Sequence, residues 1–181
     1  MVVGIDEVGR GCLAGPVCVA AVILDSELPG LADSKQLTAK QRQILALAIK
    51  QHALGVGLGW MSSRVIDEVG IIAALRLAGQ RALLPFVGAH QVLLDGSHNY
   101  LEDSRVTTII RGDASVPSIS AASIIAKVAR DAFMGFADKR YPGYGFGQHV
   151  GYGTAQHMRQ LAALGPSPIH RLSFAPLKGS K

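Results

Sequence analysis

The chain opens on VVGIDEVGRG, and the adjacent acids within it, Asp6 and Glu7, constrain the fold more than any other feature. Val2 to Ile5 form a short apolar run of strand composition. Side chains on a strand alternate between its faces, so a strand continuing through both acids drives one carboxylate into the core, a cost no unpaired carboxylate can offset. The expectation is a strand that ends or turns at Asp6 and Glu7, where a sheet protein has room for a site. The Gly-rich stretch that follows reads as a connection, and VCVAAVIL at 17–24 as the antiparallel partner strand.

Further along, TAKQRQILALAIKQHA at 38–53 predicts a helix with Thr38 as N-cap and Ile44, Leu45, Ala48 and Ile49 on one face. LGVGLGWM at 54–61 is a third strand, and a helical region follows from Ser62 to Leu84, with Gly70 and Gly79 as candidate breaks. QVLLDG at 91–96 and VTTII at 106–110 are two more strands. After Pro117 comes a long helix whose first turns are so rich in Ala and Ser that it must pack closely against something. YPGYGFGQHVGYGT at 141–154 is too Gly-rich for regular structure, and a last helix runs over 154–164. A meander followed by strands reached through helical crossovers is an α/β arrangement, a mixed sheet flanked by helices.

At 181 residues and 49% hydrophobic, the chain can bury one substantial core, and one domain is expected. The mean hydropathy of +0.28 raises the question of a membrane, but the longest charge-free run, 11–24, contains Gly15 and Pro16 and is shorter than the roughly 20 apolar residues of a spanning helix. MVVGIDE has neither the basic nor the apolar part of a signal peptide, so a soluble, cytoplasmic protein is expected. Cys12 and Cys18 match no zinc or disulfide pattern and read as small core residues. A formal charge of +5, from 18 basic and 13 acidic residues, suits a polyanionic partner without identifying one.

Asp95 repeats the situation of Asp6, an acid at the end of an apolar strand. If the strand at 91–94 lies parallel beside that at 2–5, Asp6, Glu7 and Asp95 converge. Asp113, between the strand at 106–110 and the long helix, is the fourth candidate. Four carboxylates without a histidine or thiolate ligand select a hard cation, Mg²⁺ or Mn²⁺ rather than Zn²⁺. Two such ions about 4 Å apart serve in-line displacement at phosphorus, the chemistry of nucleases. Taken singly, Asp95-Gly96 is also an ordinary turn dipeptide and Asp113 an ordinary first-turn residue. Gly9-Arg10-Gly11 reads either as a plain hairpin connection or as a loop whose bare backbone approaches a ligand while Arg10 meets a phosphate.

GIDEVGRG at 4–11, DSKQL at 33–37, LLDG at 93–96, RGDASVPSISAASIIAKVARD at 111–131, YPGYGFGQHVGYGT at 141–154 and HRLSF at 170–174 occur in this order. Together they resemble bacterial ribonuclease HII, the type 2 ribonuclease H, from Gly4 to about Pro176. The resemblance implies a ribonuclease H-like fold, a five-stranded mixed sheet flanked by helices, with a C-terminal helical extension over about 141–181 that helps hold the duplex. It implies an endoribonuclease that cuts RNA paired to DNA, and cuts on the 5′ side of a single ribonucleotide embedded in duplex DNA, leaving 3′-hydroxyl and 5′-phosphate ends in ribonucleotide removal and DNA repair. The family's active-site acids, which hold Mg²⁺ or Mn²⁺, fall on Asp6, Glu7, Asp95 and Asp113. Its reader of the ribose 2′-OH falls on Gly9, Arg10 and Gly11, and its junction-sensing tyrosine on Tyr152.

The physical reading agrees, because backbone groups bared by glycine can distinguish ribose from deoxyribose. An aromatic in a Gly-rich loop, such as Tyr152, also commonly just anchors the backbone. Lys35 and Arg111 are candidate phosphate contacts or solvated charges. His149, His157 and His170 read as packing or surface residues, and Arg130 either pairs with Asp131 or lines the groove with Lys127. Arg111 and Ser97 depart from the family, which usually has lysine and often asparagine there. No clamp-docking tail is evident after Pro176, and no heptad or exposed apolar stripe calls for a dimer, so a monomer is expected. The rivals are a silent hybrid-binding protein, disfavoured by four acids beside phosphates, and a DNA-only nuclease, which has no 2′-OH to read.

Overall fold

The computed structural model describes residues 1–26, 28–31 and 37–179. Its centre is a five-stranded sheet of β1 (Val2–Val8), β2 (Val17–Leu24), β3 (Ala53–Met61), β4 (Gln91–Asp95) and β5 (Val106–Ile109), in the order β3-β2-β1-β4-β5. The first three strands form an antiparallel meander, and β4 and β5 continue parallel to β1. The middle strand is therefore β1, with Val2–Ile5 in register with Gln91–Leu94.

One face of the sheet packs on α2 (Ser63–Val69) and α3 (Ile71–Leu83), burying Ile5, Val19 and Leu94 with Ile66, Leu75 and Ala78. The other packs on α1 (Ala39–His52) and α5 (Pro117–Arg140), burying Ala20 and Val22 with Ile49, Ala121 and Ile125. The small residues of α5 serve this contact. On β1, Gly4 lies so close beneath the helix that a Cβ there would sit 2.2 Å from the backbone carbon of Ser118. Two one-turn helices, α4 (Gly112–Ser115) and α6 (Phe146–His149), flank α5, and α7 (Ala155–Leu164) completes the C-terminal extension. Among the described residues no helix is long and apolar enough to cross a membrane.

Four expectations are corrected. The first strand does not end at the acids but runs to Val8, paired with Cys18. Asp6 opposes Ala20 on the α5 face and Glu7 opposes Val19 on the α3 face, as alternation demands. Both are accommodated although Asp6 is buried, because pairing with β4 stops at Ile5 and beyond it the two acids line a cavity. Thr38 caps α1 with a full capping box, but the buried face carries Ala46 and Ile49 while Ile44 stays exposed. Gly70 divides the next helical region, whereas Gly79 lies inside α3, packed near Leu101. The Gly-rich stretch at 141–154 contains α6.

Candidate active site

Past the carboxyl end of β4, a cavity of about 410 Å³ is lined by Asp6, Glu7, Asp95, Asp113 and Tyr152 together with Arg42, Ser123 and Lys127. The parallel pairing of β1 and β4 brings Asp95 beside Asp6 and Glu7. Asp113 arrives from α4, whose entry residue Arg111 takes a left-handed backbone (φ 56°). The amide of Asp113 faces Oδ1 of Asp95 at 3.4 Å, and the Ser120 hydroxyl donates to the Asp113 carbonyl from within α5. All four acids expected from the sequence thus share one cavity.

Asp6 is 8% exposed. Burial pushes its carboxyl up to about 8, and the charges of Glu7 and Asp95 push the same way. A hydrogen bond from Ser123 and one from the Glu7 amide (2.7 Å to Oδ1) oppose the rise. Glu7 is also raised by burial, and the charge of Arg10 is the main opposing influence, its guanidinium 3.6 Å from Oε1. The buried Tyr100 hydroxyl makes no hydrogen bond of ordinary geometry among the described residues, yet it stands near enough to Glu7 to favour the carboxylate.

This donor set fits a hard divalent cation. Carboxylates kept from water and set against one another are strained until a positive charge joins them, and every donor is oxygen. Among the described residues no three Asp, Glu, His or Cys side chains close into a cage. An open site of one or two carboxylates, completed by water and phosphate oxygens, is what Mg²⁺ takes.

The Gly9–Gly11 loop forms the turn between β1 and β2. Gly9 (φ 88°) is required by the protein itself, because a Cβ there would meet Arg130 at 2.1 Å. Gly11 has nothing within 4 Å of that position, so its lack of a side chain leaves space toward solvent. Arg171, fully buried, fixes the loop from behind: its guanidinium donates to the carbonyls of Gly9 (2.6 Å), Arg10 (2.9 Å) and Gly15 (2.9 Å). Burial lowers this arginine to about 10.

Arg130 is likewise wholly buried and donates to the carbonyls of Pro16, Val150 and Ala14, so it neither pairs with Asp131 nor lines the groove. Lys127 takes Asp131 instead, at 2.8 Å, and borders the cavity. Tyr152 is 43% exposed, its ring near Cys12. Both cysteines are buried and free, and His149, His157 and His170 are packed together inside. Arg111 is exposed and does not line the cavity, and Lys35 lies outside the described residues.

Sequence reasoning missed Ser123 and Arg42. Ser120, Ser123 and Lys127 are spaced three and four apart in an otherwise Ala- and Ile-rich helix, a polar stripe that marks a face turned to something other than core. Arg42 carries no comparable signal, since it is one of several polar residues on α1.

The sequence profile of the family described as Ribonuclease HII matches residues 3–177. Ribonuclease HII of Nitrosospira multiformis is 52% identical over 98% of this chain and 90% of its own length. Ribonuclease HII of Archaeoglobus fulgidus, solved in complex with PCNA, superposes with a TM-score of 0.77 at 26% identity, over 95% of this chain and 93% of that one. Bst-RNase HIII, solved in complex with Mn²⁺, shares the fold with a TM-score of 0.73 at 22% identity, over 98% of this chain and 68% of that one. With nearly the full chain matched in sequence and in fold, this protein belongs to the ribonuclease HII family and is a metal-dependent ribonuclease H.

Proposed function

We propose that the enzyme cuts on the 5′ side of single ribonucleotides embedded in duplex DNA, as well as within the RNA strand of hybrids, and that it acts in the cytoplasm in ribonucleotide removal. The observation that carries the reading is the meeting of four carboxylates and Tyr152 at one cavity, which Val8 also lines, immediately before the loop in which Gly11 leaves open space. In this reading Asp6, Glu7, Asp95 and Asp113 hold two divalent ions, Mg²⁺ or Mn²⁺. When bound, these ions supply an activated water and stabilise the charge that develops at phosphorus.

The protein's own groups do the rest. Ser123 orients Asp6, and Arg10 favours the charged form of Glu7 against the effect of burial. The backbone of Gly9, Arg10 and Gly11 meets the 2′-OH, which both donates and accepts. The Tyr152 ring lies against the adjacent deoxyribose. Lys127 adds positive charge beside the phosphate, and residues 141–181 support the duplex. The water oxygen bonds to phosphorus as the P–O3′ bond breaks, and the departing oxygen takes a proton, leaving a 3′-hydroxyl and a 5′-phosphate. Tight carbonyl anchoring of the loop by Arg171 supports this reading, since a reader of one hydroxyl needs a fixed backbone.

The test is cleavage of a labelled DNA duplex containing one ribonucleotide, with and without Mg²⁺ or Mn²⁺, beside an all-DNA control. A metal-dependent cut on the 5′ side of the ribonucleotide, absent from the control, is expected. Binding without cutting in either metal would point instead to a silent binder, and equal cutting of the control would show that the glycine loop does not read the 2′-OH.

A further inference from the structure

Tyr152 enters the cavity on a backbone held from inside the protein. Its N–H donates to the His149 carbonyl at 2.9 Å, and its own carbonyl accepts the Thr154 N–H at 2.8 Å. The same carbonyl lies 2.9 Å from Nδ1 of His157, a residue of the first turn of α7 with no exposed surface. The other ring nitrogen of His157 is 3.0 Å from Nε2 of His170. Nδ1 of His170 in turn faces the backbone N–H of Ser167 at 2.8 Å.

These partners assign the ring protons. The Ser167 hydroxyl, also 2.8 Å from Nδ1 of His170, can donate or accept, but the Ser167 amide can only donate, so Nδ1 is the bare nitrogen and the His170 proton sits on Nε2. That proton points at Nε2 of His157, which must accept, so the His157 proton is on Nδ1 and meets the Tyr152 carbonyl. Each donor finds an acceptor in one direction, from Ser167 to Tyr152, only while both rings are neutral. A proton added to His157 sets two N–H groups against each other across 3.0 Å. Burial holds both rings below their usual range; the charge of His149, whose ring stacks on His157 at 4.2 Å, pushes both the same way, and that of His157 adds to the effect on His170.

We propose that His157 and His170 are positioning residues for Tyr152: the directed chain Ser167–His170–His157–Tyr152 fixes where the tyrosine ring stands at the cavity of the four acids, and thereby sets the preference for a ribose-to-deoxyribose step over continuous hybrid. The inference rests on the proposed contact of Tyr152 with deoxyribose. A purely packing role asks of position 157 only the right volume; the chain asks for a donor at Nδ1 aimed at one carbonyl. The two roles separate experimentally, because phenylalanine keeps the volume and asparagine keeps a donor near the Nδ1 position.

The experiment measures cleavage of a duplex with one ribonucleotide against cleavage of a uniform RNA/DNA hybrid, and reads their ratio. The proteins are the parent, Tyr152→Ala, His157→Phe, His157→Asn and the double variant Tyr152→Ala/His157→Phe. Tyr152→Ala is expected to lower the ratio about tenfold or more, and His157→Phe about three- to tenfold, since small misplacements of a contact cost rate steeply. His157→Asn should recover most of the ratio, and the double variant should fall no lower than Tyr152→Ala alone.

An unchanged ratio in His157→Phe, or a loss in the double variant that multiplies the two single losses, overturns the positioning role while leaving the Tyr152 contact standing. An unchanged ratio in Tyr152→Ala overturns that contact, and this inference with it. Ring ¹⁵N shifts of the parent enzyme provide a reading that needs no variant. His157 is expected as the Nδ1–H tautomer and His170 as the Nε2–H tautomer, and either ring in the opposite form overturns the chain even if His157→Phe does not fold.

Discussion

Gly9 lies against Arg130 so closely that a Cβ on the glycine would fall 2.1 Å from Nε of the arginine, a side chain with no exposed surface. Two residues on, the same addition at Gly11 meets nothing within 4 Å. The two glycines of one short loop are therefore glycine for different reasons, the first because the protein occupies the space and the second because the protein leaves it empty.

Alanine substitution should separate them. Gly9→Ala combines a left-handed backbone with a clash against a buried side chain, and is expected to destabilise the fold by about 2 kcal/mol or more. Gly11→Ala should stay within about 0.5 kcal/mol of the parent by denaturant unfolding. Its cost should appear in function, as a loss of about tenfold or more in cutting a ribonucleotide-containing duplex, because the methyl group takes the space of the incoming ribose. Full activity in Gly11→Ala would show that the loop is not where the 2′-OH is met.

Asp6→Asn should be inactive yet more stable than the parent without metal. The carboxyl is buried and raised to about 8 by desolvation and by its neighbours Glu7 and Asp95, so folding without a cation works against it. The amide keeps the shape and folds without taking up a proton, for an expected gain of about 1 to 3 kcal/mol at neutral pH. Unfolding in a chelator, set beside a turnover assay, checks both halves, and a variant that is inactive because it is less stable would contradict the account.

The five strands and the antiparallel meander of the first three were legible in the sequence, because apolar runs and turn residues report strands directly, whereas the parallel placement of β4 beside β1, on which the convergence of Asp6, Glu7 and Asp95 depends, entered only as a condition that the structure meets. The continuation of β1 through both acids was not legible. Its permissibility depends on the pairing with β4 ending at Ile5 and Leu94, a property of the neighbouring strand that no local pattern contains. Arg130 and Arg171 were misjudged or missed for a related reason. Charged residues are almost never fully buried unless paired, and these two are satisfied by backbone carbonyls, most of them more than 100 residues away in sequence. The histidine chain was equally hidden, since its direction comes from Ser167 and Tyr152 and not from the histidines themselves.

Arg171→Lys should be far from conservative. The guanidinium meets three carbonyls of one loop with a planar fork, which a single ammonium cannot reproduce. Leaving buried carbonyls unsatisfied costs about 1–3 kcal/mol each in the worst case, so a loss of about 2–4 kcal/mol is expected by thermal or denaturant unfolding. Cleavage of single-ribonucleotide duplex and of uniform hybrid should fall together, because both expose a 2′-OH to the loop. A parent-like lysine variant would mean that the loop holds its shape without the fork.

Acid should weaken the fold through His170. Its folded-state value is lowered to about 4 against an ordinary 6.5, so the unfolded chain binds a proton that the folded chain refuses. Stability from this group is fully present above about pH 6.5, declines as pH falls toward 4 and levels off below, with a total loss on the order of 3 kcal/mol. Asp6 and Glu7 act in the opposite sense in the metal-free protein, since raised carboxyls favour the folded state as pH falls. The useful quantity is therefore the difference in unfolding free energy between the parent and His170→Gln, followed from pH 7.5 to 4.5. That difference should shift steadily against the parent as pH falls, because glutamine takes no proton, and a difference independent of pH would mean that His170 is not held neutral by its surroundings.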